Sequence, residues 1–139
     1  MTYKFLEHTA DVKFLAEGKT LEEAFIESAM ALKETITVDV KVFPQIDKKI
    51  HISGKDLESL LYNFLEEFLF LLDSEDFLLG EIKEIKINHK TLVLDAVISG
   101  DKAEKYHFTN DVKAITYNEM KIEFDETKKE WTCQVVLDV

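Results

Sequence analysis

Apolar residues change their period several times along this chain, and each change marks an element. Within Tyr3 to Glu17 the alternation of Val12, Phe14 and Ala16 is that of a half-buried strand. Gly18 turns the chain. From Leu21 the apolar positions fall at Ala24, Phe25, Ser28, Ala29 and Leu32, one helix face running to about Glu34. Thr20 and Glu23 precede that face as a T-x-x-E pair, in which each side chain can satisfy a free backbone N–H of the helix start. Short strands are expected near 36–43 and 48–53, with Pro44 between them.

A second helix follows, capped by Ser53 or Asp56. Leu57, Leu60, Leu61, Phe64, Leu65, Phe68, Leu71 and Leu72 give it an apolar face wide enough to imply burial across a sheet. Phe64, Phe68 and Phe70 read as core aromatics. Strands are then expected at 80–88, 91–99, 112–117, 119–125 and 130–138. In the last, Trp131, Cys133, Val135 and Leu137 face one way and Thr132, Gln134, Val136 and Asp138 the other. Gly is confined to positions 18, 54, 80 and 100 and Pro to 44, so no linker interrupts residues 1–139. The pattern implies a single α+β domain, with two helices packed on one face of a mostly antiparallel β-sheet.

Charge narrows the range of functions. The net charge is −11, and nearly all of it lies beyond residue 55. Every one of the 17 basic residues is lysine, so the guanidinium fork that reads phosphate and guanine is missing. An acidic surface also repels a polyanion, and strong direct binding of nucleic acid by this chain is not expected. The charge suits cations or a basic protein surface. One cysteine permits no internal disulfide, which points to a reducing cytoplasm. The N-terminus does not read as a signal peptide, and acids interrupt the stretch from Leu57 to Leu72, so no membrane association is expected.

Glycine-rich phosphate loops, G-x-S-x-G and H-E-x-x-H are all missing, and Cys133 falls mid-strand as a structural thiol. His8, His51, His89 and His107 have no paired spacing for a metal. Three features remain. Glu7 to Val12 is a polar run between apolar strand residues, in which Asp11 could bond local backbone or serve a ligand. Val136-Leu137-Asp138-Val139 brings a side-chain carboxylate, a carbonyl and the terminal carboxylate together, hard oxygens suited to Ca2+, Mg2+ or Mn2+. Lys113, within Asp111 to Tyr117, could reach an anion or an acidic neighbour. The acidic segment from Glu66 to Glu84 is either a solvated helix end or a docking face for a basic partner.

Taken in order, His8-Thr9-Ala10-Asp11-Val12, Gly18 to Phe25, Asp56 to Leu61, Val112 to Tyr117 and Val136 to Val139 make the chain resemble the archease family over its full length. Lys13 departs from the glycine that many archeases carry there. The resemblance implies a protein cofactor, not an enzyme, for RtcB-type RNA ligases in tRNA splicing. Such a protein promotes guanylylation of the ligase's active-site histidine and multiple turnover. It carries metal ligands onto Asp11, Asp138 and Val139 and an activating role onto Lys113, and it leaves His8 a structural motif residue. Two carboxylates held together repel unless a cation or a lysine lies between them, a role open to a divalent ion or to Lys113. A free-standing metal-dependent phosphoester hydrolase and a chaperone-like binding module are the competing readings.

Overall fold

A computed structural model describes residues 1–139. The chain opens with a hairpin of β1 (Thr2–Leu6) and β2 (Val12–Gly18), so the polar run at 7–11 is its connection. Helix α1 (Leu21–Ile36) starts where expected. The Thr20 hydroxyl accepts the Glu23 N–H at 3.1 Å, while the Glu23 carboxylate takes the Lys19 N–H, one residue before the cap. After a long loop come β3 (Ile46–Ser53) and α2 (Leu57–Glu75). Asp56 caps α2 through the Ser59 N–H at 2.7 Å, and the Ser59 hydroxyl accepts from Asp56 in return. The remaining elements are β4 (Phe77–Asn88), β5 (Val93–Lys102), a short 3-10 turn (Ala103–Lys105), β6 (Ala114–Asp125) and β7 (Glu130–Asp138).

All strand pairs are antiparallel, and the fold is α+β with two helices. The strands divide between two sheets, one ordered β1-β2-β7-β6 and the other β3-β5-β4. Each helix touches strands of both sheets, so the helices close one shared core. Phe14, Phe25, Phe64, Phe77, Leu60, Leu61 and Ile98 are fully buried there. Cys133 joins them beside Ser28, and burial pushes its thiol up to about 12.

Three local expectations need correction. The segment 36–43 is not a strand: α1 runs on to Ile36, and Thr37 caps it with its N–H on the Lys33 carbonyl. Beyond the cap, the Lys33 ammonium donates to the Val40 carbonyl and the Asp39 N–H to the Glu34 carboxylate. Of the alternating valines there, Val42 alone is buried against the core, while Val38 is exposed. The strands expected at 112–117 and 119–125 are one strand, β6, whose register against β7 shifts between Thr116 and Lys121. Phe70 is 53% exposed, because Phe64, Phe68 and Leu71 already occupy the core face of α2. No helix is long and apolar enough to cross a membrane.

Candidate functional site at the end of the four-stranded sheet

β7 lies between β2 and β6, and this order brings the two ends of the chain together. Val12 pairs with Leu137, so Asp11, one residue before β2, falls opposite Asp138. Ala114 pairs with Asp138 on the other side, so Lys113 falls opposite Val139. The Lys113 N–H donates to the Asp138 carbonyl at 2.7 Å, continuing the ladder past the first residue of β6. Burial explains the register: Phe14 opposes Val135 and Ala16 opposes Cys133, all four fully buried. A one-residue slip would turn these side chains outward.

Four residues expected at the site, Asp11, Lys113, Asp138 and Val139, thus converge on one end of one sheet, through strand register and one main-chain bond. Asp11 and Asp138 are half-buried and Lys113 is exposed. The Lys113 ammonium forms no ion pair within 4.0 Å, and neither aspartate has a lysine that close. No group of three His, Cys, Asp or Glu side chains stands ready to hold a metal ion. An ion taken up here would therefore draw on main-chain oxygen and on water or a ligand as well as on carboxylates.

One neighbour went unread in the sequence. Glu119 lies in the irregular part of β6 with a positive φ of 56°. The Gln134 side-chain amide donates to the Glu119 carbonyl at 2.8 Å. From there the Glu119 carboxylate crosses over β7 to His8 Nε2 at 2.8 Å and Lys13 Nζ at 3.1 Å. The hydrogen bond from His8, and then that from Lys13, hold the Glu119 carboxyl below the usual glutamate range. The other ring nitrogen of His8, Nδ1, is buried without a hydrogen-bond partner and faces an Asp11 carboxylate oxygen at 3.9 Å. Glu119 is 111 residues from His8, and no local pattern announces the contact.

The archease protein family model matches residues 3–139. The chain belongs to the archease family. Among curated archeases it is 37% identical to that of Methanosarcina mazei, over 99% of this chain and 95% of the relative. It is 41% identical to the Pyrococcus furiosus archease, covering 99% and 98% of the two chains. The solution structure of Methanobacterium thermoautotrophicum protein 1598 superposes with a TM-score of 0.81 at 30% identity, over 99% of this chain and 98% of that one. The archease fold therefore extends across the whole chain, including both halves of the site.

Proposed function

We propose that this archease is a protein cofactor that activates an RtcB-type RNA ligase in tRNA splicing, promoting guanylylation of the ligase's active-site histidine and so multiple turnover. Family membership supports a cofactor role toward RNA ligase in general. The observation that carries the finer reading is the register that sets Asp11 opposite Asp138 with no lysine within 4.0 Å of either. Two acids so placed favour a cation over a protein counter-charge.

Asp11, Asp138 and main-chain oxygen of Val139 would hold a hard divalent cation, Ca2+, Mg2+ or Mn2+. When bound, such an ion supplies charge neutralisation to phosphate oxygens during nucleotidyl transfer. The residues of this chain do the rest. The Lys113 N–H holds the Asp138 carbonyl and with it the end of β7. The exposed Lys113 ammonium is free to meet a phosphate or an acidic side chain of the ligase. The ligase supplies the nucleophile, and this chain supplies placement and charge. A cytoplasmic, transient partnership with the ligase fits this division of labour.

The test is a turnover assay of the cognate ligase with RNA ends in excess. Wild type should convert a single round into many, whereas Asp11→Ala, Asp138→Ala and Lys113→Ala should fail to stimulate while remaining folded. Full stimulation by Asp11→Ala would overturn the metal-site reading, and no stimulation by wild type would overturn the activator reading itself.

A further inference from the structure

His8 and Glu119 have no place in the site as proposed so far, yet their arrangement is specific. Glu119 reaches over β7 from an irregular stretch of β6 and fixes His8 Nε2 at 2.8 Å. A histidine whose one nitrogen donates to a carboxylate presents the other as a lone pair, the tautomer and orientation that metal-binding histidines usually have. That other atom, Nδ1, is buried, bonds to nothing and faces Asp11 Oδ2 at 3.9 Å. The gap is too long for a hydrogen bond. It is within the reach of two ligands of one ion, whose metal–nitrogen and metal–oxygen distances sum to roughly 4.0–4.3 Å. A buried nitrogen lone pair without a donor is costly unless something occupies it.

We infer that His8 Nδ1 is a nitrogen donor to the cation held at Asp11, with Glu119 as the positioning residue that orients the ring. The inference rests on the metal site proposed above, where His8, Asp11 and Asp138 form no ready-made three-ligand cage until an ion draws them together, and it adds the class of ion. A mixed nitrogen and oxygen donor set favours a first-row transition ion, Co2+ or Zn2+ most and the harder Mn2+ less, over Ca2+, which takes oxygen almost exclusively. Lys13 shares the Glu119 carboxylate at 3.1 Å and helps aim it across the sheet. The departure at Lys13 is thereby part of the same device.

Calorimetric titration of the chelator-treated protein with MnCl2, CoCl2 and CaCl2, run on wild type and variants of confirmed fold, tests this. Wild type should bind Mn2+ and Co2+ more tightly than Ca2+. His8→Ala should weaken Mn2+ and Co2+ by roughly tenfold or more and leave Ca2+ nearly unchanged. Glu119→Gln, at a more exposed position, should weaken the same two ions by roughly tenfold, the usual effect of losing a carboxylate behind a ligand histidine. In wild type, Mn2+ should broaden the His8 imidazole nitrogen resonances before those of His51, His89 or His107. Unchanged Mn2+ affinity in both variants, with binding abolished by Asp11→Asn, would overturn the role of His8 and leave the acidic site standing. No binding of any ion by wild type would overturn both.

Discussion

Replacing Asp138 by asparagine should raise the stability of the ion-free protein and lower that of the ion-loaded one. Asp11 falls opposite Asp138 one step beyond the Val12–Leu137 pair, just before β2 begins and at the last residue of β7. Like charges so placed destabilise by roughly 0.2–1 kcal/mol. No lysine within 4.0 Å offsets either carboxylate, and both are half-buried, so screening by water is incomplete. For a domain of this length 1 kcal/mol corresponds to a melting shift of about 3–5 °C, so the ion-free variant should gain about 1–5 °C at low salt. An ion at a hundredfold excess over its dissociation constant adds about 2.7 kcal/mol to whatever binds it. Wild type should therefore gain roughly 10 °C from the ion, and the variant, short of one ligand, far less. Circular dichroism melts of both proteins, in chelator and then in excess MnCl2 or CaCl2, read the crossing. The same order of stability in both conditions would refute the reasoning, since either the repulsion or the shared ion is then absent.

Cys133 is raised from 9.0 to about 12, which makes its thiolate scarcer by roughly a thousandfold. A thiol reagent should label it only in denaturant, and rapid stoichiometric labelling of the native protein would contradict that burial. Asp101 is buried and bonded by the Tyr106 hydroxyl and the Lys102 N–H, each at 2.8 Å, which with Lys105 hold its carboxyl below the usual 3.8. A depressed folded-state value means that this stabilisation is fully present above the unfolded value and is lost as pH falls through the lower one. Urea midpoints should drop below about pH 4 in wild type and change less with pH in Asp101→Asn, which is already weaker at neutrality; parallel profiles would be the contrary result. Finally, an ion shared with the ligase must tighten by the same factor by which it tightens ligase binding. Equal Mn2+ affinity of the archease with and without the ligase would exclude a shared ion.

How far the sequence discloses this molecule depends on how local each signal is. Both helices and β7 are written in caps and periods that act within a few residues: Thr20 and Asp56 fix the helix starts, and the alternation through Trp131 to Leu137 fixes β7. The segment 36–43 misleads because Val38, Val40 and Val42 alternate like a strand. What settles their conformation is a lysine and a glutamate reaching forward from the last turn of α1. The residues of the site are visible as motifs, but their union is not. It follows from β7 lying between β2 and β6, a choice made by burial of Phe14, Ala16, Cys133 and Val135 rather than by anything at the site. Glu119 is harder still, since a positive φ at a non-glycine residue has no sequence mark and its partners lie over 100 positions away. The same physics explains why the site sits where it does. At the end of a sheet the ladder runs out, and main-chain oxygens there are left for other partners. The Lys113 N–H takes the Asp138 carbonyl, the last bond of the ladder, and Val139 and Asp11 lie just beyond the ends of β7 and β2. An ion or a second protein can meet oxygen donors there without breaking a single hydrogen bond of the fold.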